Sequence, residues 1–315
     1  MTERGSTDAT PGRAAAFARP RALWAMARPS QLLLIAAVFA LGVVVAVGTG
    51  HPFSRPAVLA GLAALLPTAA SVHYANEYAD RETDRLTTES GTRTPFSGGS
   101  GALSRTGCSP RLARDATLAT GGLGALVAAG LFAAGLLPVI AAATLLAIAL
   151  LGWGYSLPPA ALSRRGLGEL DNALLGGLLL PYYGAATLGP PSPAVALAFV
   201  PFALLVFANL LATQWPDRWA DAFAGKYTLP ARWPPRRLRR LHLLSVVGAF
   251  ALLPLLYGRV LPPIVALASL LALPFAAWGV LTFTRDERPF PTVAAMVVTA
   301  VAQLAAWCYV TGLVG

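Results

Sequence analysis

The sequence predicts an all-α, polytopic membrane protein, and three observations support this fold class. Hydrophobic residues make up 56% of the 315 residues, and charged residues only 12%. Nine apolar runs approach or exceed the length of a bilayer span, and Lys and Arg concentrate in alternate connecting segments. A soluble domain of this length could not bury so much apolar surface, so the soluble classes are excluded.

The nine apolar runs fit the roughly 17–25 residues that a helix needs to cross a bilayer. They lie at 30–49, 56–79, 115–135, 138–156, 169–188, 194–215, 241–258, 262–283 and 290–313. Several contain Gly and Pro, which membrane helices tolerate. The polar residues 1–22, rich in Ala, Pro and Gly, are expected to form a disordered cytoplasmic tail. The remaining residues 23–315 are then one nine-helix domain.

The distribution of basic residues predicts the orientation of these helices. With the N-terminus inside, 22 of the 24 Lys and Arg fall in the inside segments, which are 1–29, 80–114, 157–168, 216–240 and 284–289. The outside segments contain only Arg55 and Arg259. Cytoplasmic loops carry such an excess of Lys and Arg. The pattern therefore predicts a multi-pass protein of the cell membrane with a cytoplasmic N-terminus and an outside C-terminus.

Two further features of the composition exclude other kinds of site. The net charge of +10 is accounted for by this topology, so it gives no reason to expect a nucleic-acid partner. The only cysteines, Cys108 and Cys308, imply no disulfide framework and no thiolate metal site.

Two ladders of carboxylates follow apolar runs on the predicted cytoplasmic side. In NEYADRETD, Asn76, Asp80 and Asp84 are four residues apart, a spacing that places them on one stripe of a helix. In QWPDRWAD, Asp217 and Asp221 have the same spacing. Carboxylates at membrane level are costly unless they bind a cation. Mg²⁺ takes oxygen ligands and is commonly shared with substrate phosphates, so two facing ladders predict a site for divalent metal and a polyphosphate.

Two other interpretations of the ladders are possible from the sequence. A single ladder could be a solvated helix end, with Asp80 and Asp84 paired to Arg81 and Arg85; two ladders on the same face favour the metal site. A cation transporter, which belongs to a different functional class, should place charged groups deep in several spans. Here the charged groups stop at one face of the membrane, which counts against a transporter.

Five segments resemble the UbiA superfamily of intramembrane prenyltransferases. NEYADRETD resembles its N-D-x-x-D-x-x-x-D motif, and TQWPDRWADAFAGKYTLPAR its second aspartate motif with the G-K-x-T-L-x-x-R continuation. YSLPPAALSRRGLGELDNALLGG is similar to the branch of 1,4-dihydroxy-2-naphthoate prenyltransferases, which serve menaquinone biosynthesis. ARPSQLLL resembles the first helix, and TPFSGGSGAL a loop of bacterial members. The resemblance extends from about residue 27 to the end of the chain.

The resemblance implies a fold and a reaction. The fold is nine helices around a central cavity that opens to the cytoplasmic side. In the reaction, Mg²⁺ binds the diphosphate of a prenyl donor, the allylic C–O bond ionises, and the resulting cation attacks an electron-rich aromatic acceptor within the membrane lipid. The acceptor of the most similar branch is 1,4-dihydroxy-2-naphthoate. The alternatives are 4-hydroxybenzoate, homogentisate, or cyclisation of the donor itself by a UbiA-type terpene cyclase.

The resemblance also assigns roles to individual residues. The metal ligands would be Asn76, Asp80, Asp84, Asp217 and Asp221, of which the four aspartates are catalytic. The diphosphate would be bound by Arg28, Arg93, Arg164, Lys226, Arg232, Tyr155 and Ser156. The acceptor would be contacted by His73 and Asp171. A packing role for His73, and a favourable position at a helix N-terminus for Asp171, are the alternatives.

The sequence departs from the family motifs at three positions. Glu77 stands where the first motif usually has Asp, a chemically mild change. Thr213 and Gln214 stand where the second motif often has Asn and Asp. Asp217 and Asp221 are then the only carboxylates of the second motif. A Gln ligand would be neutral, so a second ion would bind more weakly, and the number of metal ions stays open.

Overall fold

The structure, a computed structural model, describes residues 11–313 and is all-α. The first half of the chain forms α1 (Pro11–Ala27), α2 (Pro29–Gly48), α3 (Arg55–Ala79), α4 (Arg81–Glu89), α5 (Ala102–Thr106), α6 (Arg111–Ala133), α7 (Val139–Ser156) and α8 (Gly168–Leu174). The second half forms α9 (Leu180–Ala186), α10 (Pro193–Gln214), α11 (Arg218–Phe223), α12 (Leu229–Arg232), α13 (Pro235–Leu256), α14 (Pro263–Ser269), α15 (Leu273–Thr282) and α16 (Phe290–Thr311).

Eight helical segments of the described chain are long and apolar enough to cross a membrane. They are Phe17–Gly48, Arg55–Ala79, Arg111–Ala133, Val139–Ser156, Pro193–Gln214, Pro235–Leu256, Pro263–Thr282 and Phe290–Thr311. The chain is therefore a multi-pass membrane protein, as its composition predicts. Two of the helices begin earlier than the predicted runs 115–135 and 241–258, because arginines extend them on the predicted cytoplasmic side.

The predicted run 169–188 is not among these eight continuous segments. It is helical in three pieces, namely α8, a π-helical turn at Leu175–Leu179, and α9. Pro181 has no backbone N–H and so cannot continue the α-helical hydrogen bonds, and a wider turn accommodates it. The hydropathy of the sequence does not reveal this interruption. The predicted count of nine crossings stays a prediction.

The predicted disordered tail, residues 1–22, needs correction. Residues 1–10 lie outside the described residues, but from Pro11 the chain is helical and continues to Ala27 as α1. Ala22 and Met26, one helical turn apart, are fully buried and pack in a cluster with Tyr74 and Ala102. This packing explains the order of the segment, which its Ala-, Pro- and Gly-rich composition alone does not predict.

Helices in the interior of the protein approach each other closely at small residues. A Cβ added to Gly42 of α2 would lie 1.7 Å from the backbone oxygen of Pro181 in α9. A Cβ added to Gly177 would lie 2.4 Å from the Cα of Ala203 in α10. Such contacts are common between membrane helices, because small residues allow close van der Waals packing. These contacts hold α9 against α2 and the π-helical turn against α10.

Candidate active site

The first ladder lies across the junction of two helices. Asp80 ends α3 and begins α4, with φ −93° and ψ 7°. The backbone N–H of Asp80 donates to Asn76 O, and that of Asp84 donates to Asp80 O, both at 2.8 Å. The four-residue spacing therefore survives the helix break. The side chains of Asp80 and Asp84 are both buried.

The second ladder lies at the C-terminal end of α10, on the predicted cytoplasmic side. Asp217 precedes the first residue of α11, and the N–H of Asp221 donates to Asp217 O at 2.8 Å. Asp217 Oδ2 accepts a hydrogen bond of 2.8 Å from the N–H of Gly98, which lies in the loop after the first ladder. Asp221 is buried, and Thr228 Oγ1 donates to its Oδ2 at 3.3 Å.

A buried lysine joins the two ladders. Lys226 Nζ lies 2.8 Å from Asp80 Oδ2 and 3.7 Å from Asp221 Oδ1. The structure therefore brings Asp80, Asp221 and Lys226 into one cluster, with Asp217 on the same short helical segment as Asp221. Two carboxylates that are far apart in sequence share one ammonium group.

Asn76 connects this cluster to two further residues that the sequence assigns to the site. Its Nδ2 donates to Asp80 Oδ2 at 2.8 Å and to Ser156 Oγ at 3.0 Å. Its Oδ1 accepts from Arg28 Nη2 at 3.0 Å. In this arrangement, Asn76 orients Asp80 and links it to Arg28 through hydrogen bonds. Tyr155, beside Ser156, accepts a hydrogen bond of 3.3 Å from Gln214 Nε2, at the end of α10.

Three other predicted diphosphate residues are directed elsewhere. Arg93 Nη2 donates to Ser100 O at 2.8 Å, and Arg164 donates to Ala224 O at 3.1 Å and Ala79 O at 3.4 Å. Arg93 and Arg164 therefore hold the backbone of the loops that surround the ladders. Arg232 is exposed. Its guanidinium lies beside Gly166, so that a Cβ added to this glycine would be 3.1 Å from Arg232 Nη1.

The two predicted acceptor residues have different surroundings. His73 Nδ1 lies 2.8 Å from Ala27 O, so this imidazole joins α3 to the end of α1. That contact is consistent with a packing role. Asp171 is buried in the first turn of α8, and neither carboxylate oxygen has a hydrogen-bond partner among the described residues. Its neighbour Glu169 accepts a hydrogen bond from Leu229 N at 2.7 Å.

The structure adds residues that the sequence does not assign to the site. Glu77 is buried and binds both Arg28 and Ser100. Ser100 belongs to the Gly-rich loop, residues 97–101, in which Gly98, Gly99 and Gly101 all have positive φ. The repeated glycines of SGGSG were a signal for this conformation, since only Gly adopts it at low cost. Their contacts with the ladders could not be read from the sequence.

Burial and mutual repulsion make the carboxylates reluctant to ionise. Burial raises the pKa of Asp217 to about 6 and that of Asp221 to about 7, although Lys226 opposes both shifts. Burial, with the charges of Asp80 and Glu77, also raises the pKa of Asp84 well above its usual value. Burial alone would lower the pKa of Lys226, but Asp221 and Asp80 outweigh it and raise that pKa. The single charge of Lys226 is therefore not enough to neutralise the carboxylates of the two ladders.

The carboxylate oxygens of the two ladders fit a hard cation whose remaining ligands come from water and substrate. In the described part of the chain, no group of three or more His, Cys, Asp or Glu side chains is arranged to enclose a metal. Three buried oxygens nevertheless lack hydrogen-bond partners among the described residues: Asp80 Oδ1, Asp217 Oδ1 and Asp221 Oδ1. Mg²⁺ prefers such oxygens, is held by few carboxylates, and takes its other ligands from water and phosphate.

A groove of about 430 Å³ lies on the flank of α6 and α7, beside Trp153. Its lining residues do not include the ladders; they are Thr117, Leu118, Gly121, Gly122, Leu150, Trp153, Gly154, Leu157, Pro158, Pro159 and Ala160. This groove is not the predicted central cavity, which stays a prediction.

Comparisons with solved structures find the same fold in archaeal proteins. A UbiA homolog from Archaeoglobus fulgidus bound to DMAPP and Mg²⁺ has a TM-score of 0.66 and 18% identity, and covers 93% of this chain and 99% of its own. The A. fulgidus homolog bound to GPP and Mg²⁺ has a TM-score of 0.62 and 18% identity, with 92% and 99% covered. The apo UbiA homolog from Aeropyrum pernix K1 has a TM-score of 0.68 and 17% identity, with 87% and 97% covered.

Sequence comparison extends the likeness beyond the fold. No curated protein matches the chain significantly. A profile of the UbiA prenyltransferase family matches residues 33–301, a range that contains both ladders and Lys226. The chain therefore belongs to the UbiA prenyltransferase family of enzymes.

Proposed function

We propose that this enzyme transfers a polyprenyl group from a prenyl diphosphate to an aromatic acceptor, with Mg²⁺ as cofactor. The observation that carries the proposal is the cluster of Asp80, Asp221 and Lys226, whose buried oxygens Asp80 Oδ1 and Asp221 Oδ1 have no hydrogen-bond partner among residues 11–313. The A. fulgidus homologs bound to DMAPP or GPP together with Mg²⁺ support the class of donor and the metal.

The residues of the cluster have complementary tasks in this reaction. Asp80, Asp84, Asp217 and Asp221 would hold Mg²⁺, which when bound supplies positive charge to the diphosphate leaving group. The Lys226 ammonium lies within the same cluster and would contact the diphosphate oxygens, as would Arg28. The allylic C–O bond breaks with its electron pair on the diphosphate. The allylic carbon then forms a C–C bond to the aromatic ring, which loses its carboxylate as CO₂ or a proton.

The acceptor we propose is 1,4-dihydroxy-2-naphthoate, which places the enzyme in menaquinone biosynthesis. The support is the segment Tyr155–Gly177, which resembles the naphthoate branch. In this segment Asp171 is buried without a hydrogen-bond partner in the described chain, so a hydroxyl of the acceptor would satisfy it. The alternatives, 4-hydroxybenzoate, homogentisate and cyclisation of the donor, differ in their products.

Product analysis tests the proposed reaction. The purified protein, incubated with mixed prenyl diphosphates, Mg²⁺ and a panel of aromatic acids, is expected to release pyrophosphate and form a prenylated naphthalene detectable by mass spectrometry. Excess EDTA should stop the reaction, and added Mg²⁺ should restore it. A prenylated benzoate would show that the acceptor is a benzoate and not the naphthoate. A cyclic terpene formed without any acid would favour a cyclase. Metal flux into liposomes without pyrophosphate release would favour a transporter.

We also propose that residues 23–315 form one domain of nine crossings around a central cavity, open to the cytoplasm. The 22-to-2 division of basic residues supports this orientation. The test is cysteine labelling of intact cells, starting from a Cys108→Ser, Cys308→Ser background. Ala222→Cys is expected to be accessible only from the cytoplasm and Ser192→Cys only from outside, since both positions are exposed. Labelling of both from one side would refute this topology.

A further inference from the structure

We propose that Glu77 is a positioning residue for the donor site: it holds Arg28 and the Gly-rich loop over the carboxylate ladders and does not bind metal. The inference rests on the proposed function, since it assigns Arg28 and the loop to the diphosphate. The proposed role also explains why this sequence has Glu77 where the first motif usually has Asp.

Both carboxylate oxygens of Glu77 are already engaged. Oε1 accepts from Arg28 Nε at 3.1 Å, from Arg28 Nη2 at 2.5 Å and from Ser100 N at 2.8 Å. Oε2 accepts from Ser100 Oγ at 2.7 Å. The side chain of Glu77 is only 2% exposed. Asp80, Asp217 and Asp221 each have a buried oxygen without a partner in the described chain, whereas Glu77 has none.

Arg28 has an unusual backbone conformation, and its guanidinium is held by Glu77. It has φ 51° and ψ 67°, a left-handed conformation that is uncommon for a residue other than Gly. It also precedes Pro29, which further restricts its backbone. Strained residues of this kind persist only where their surroundings hold them, and they cluster at functional sites. Here the pair with Glu77 and the bond to Asn76 fix the guanidinium.

The fixed Arg28 is connected to the first ladder. Arg28 Nη2 donates to Asn76 Oδ1 at 3.0 Å, and Asn76 Nδ2 donates to Asp80 Oδ2 at 2.8 Å. A continuous chain of hydrogen bonds therefore runs from Glu77 through Arg28 and Asn76 to Asp80. Loss of the Glu77 charge would free Arg28 to change its orientation, although Asp80 itself would stay in place.

The same carboxylate fixes a loop that touches both ladders. Ser100 anchors the Gly-rich loop to Glu77, and the loop N–H of Gly98 binds Asp217 Oδ2 at 2.8 Å. Gly99 packs against Asp84 so closely that an added Cβ would lie 1.9 Å from Asp84 Oδ2. Glu77 is thus the common anchor of a basic side chain and of the loop that covers the site.

The length of the Glu side chain matters for this double contact. An Asp at position 77 would withdraw the carboxylate by one methylene, about 1.5 Å. A hydrogen bond of 2.7–2.8 Å to Ser100 would then exceed the usual limit unless the loop followed the carboxylate. Glu77→Asp is therefore expected to keep one of the two contacts and to lose the other.

Direct binding of the donor tests the inference. Geranyl diphosphate is titrated with Mg²⁺, without acceptor, into the full-length wild type, Glu77→Gln, Arg28→Gln and the double variant. Glu77→Gln is expected to weaken donor binding at least about tenfold, as expected for loss of a buried charge-assisted contact. The double variant should bind more weakly than Arg28→Gln alone but by less than the product of the two single effects, because the substitutions share the Arg28–Glu77 contact while Glu77→Gln also loosens the Gly-rich loop. The acceptor KM should not change in Glu77→Gln.

Two controls separate positioning from other roles. Glu82→Gln removes an exposed carboxylate paired with Arg85 in the same motif, and should change donor binding by less than about twofold. Mg²⁺ binding measured without donor should be the same in Glu77→Gln as in the wild type, because Glu77 has no free oxygen for a metal. Weaker Mg²⁺ binding in Glu77→Gln would make it a ligand and overturn the proposal.

The remaining outcomes also have definite meanings. Donor binding by Glu77→Gln equal to that of the wild type, or additive effects of the two substitutions, would overturn the inference. If Glu77→Gln does not fold, Glu77→Asp is measured by the same criteria and should lie between the wild type and Arg28→Gln. Failure of the wild type itself to bind geranyl diphosphate would instead contradict the proposed function.

Discussion

Asp80→Asn is expected to reduce turnover by about 10²–10³-fold, the range found when one group that stabilises developing charge is removed. Asn has nearly the same shape as Asp, so the substitution removes the charge and leaves the packing. Asp80 Oδ1 is buried without a partner in the described chain, and Oδ2 is shared by Lys226 and Asn76. The variant therefore loses the carboxylate that binds Lys226 and that, under the proposed function, holds Mg²⁺ at the departing diphosphate.

Pyrophosphate release under saturating donor measures this effect. Asp115→Asn is the matched control, because Asp115 is exposed and pairs only with Arg114 on the same side of the membrane. Exposed pairs of this kind contribute little, so the control should retain turnover to within about twofold. If Asp80→Asn turned over as fast as Asp115→Asn, the first ladder would have a structural role and would not be part of the reaction site.

The ladders could be predicted from sequence because their information is local. Asn76, Asp80 and Asp84 are four residues apart, and the backbone hydrogen bonds of 2.8 Å preserve that spacing even where α3 gives way to α4. The apolar runs are local in the same sense, and most of them became continuous helices. Composition and spacing therefore sufficed to predict the membrane class and to single out acidic residues that the fold brings close together.

The partners of these residues could not be predicted, because they lie far away along the chain. Gly98 and Asp217 are 119 residues apart, and Lys226 and Asp80 are 146 apart. Nothing in the order of residues indicates that Glu77 faces Arg28 instead of the ladder. The contacts of the basic residues could not be predicted either. Their charge predicts a side of the membrane, but it does not indicate that Arg93 and Arg164 donate to backbone oxygens.

Two differences between the predicted and the observed segments have a similar origin. Residues 11–22 belong to α1, in which Ala22 and Met26 pack with Tyr74 and Ala102, a tertiary contact that composition does not reveal. The run 169–188 has the hydropathy of a span, but Pro181 and its glycines open a π-helical turn within it. Hydropathy averages a window of residues, whereas the hydrogen bonds of the helix depend on individual positions.

Lys226→Met is expected to weaken donor binding strongly and to destabilise the fold. Lys226 is the only lysine of the chain; the other 23 basic residues are arginines. The compact ammonium of Lys226 lies 2.8 Å from Asp80 Oδ2 and 3.7 Å from Asp221 Oδ1, and the planar guanidinium of an arginine would present a different shape to both. Removing one partner of a buried ion pair costs about 3–5 kcal/mol, because the other charge is left uncompensated. The carboxylates of Asp80 and Asp221 would then repel each other and the diphosphate.

Steady-state kinetics and thermal unfolding separate these effects. The donor KM of Lys226→Met should rise by about 100-fold, equivalent to roughly 2.7 kcal/mol, while the acceptor KM changes little because the acceptor has no diphosphate. Lys226→Arg should restore part of the unfolding temperature but little donor affinity, since it keeps the charge and changes its shape. Arg236→Met, at an exposed arginine near the start of α13, is the matched control and should resemble the wild type. A selective rise of the acceptor KM in Lys226→Met would mean that the loop carrying Lys226 serves the aromatic substrate. The two ladders would then have to hold the diphosphate without its ammonium.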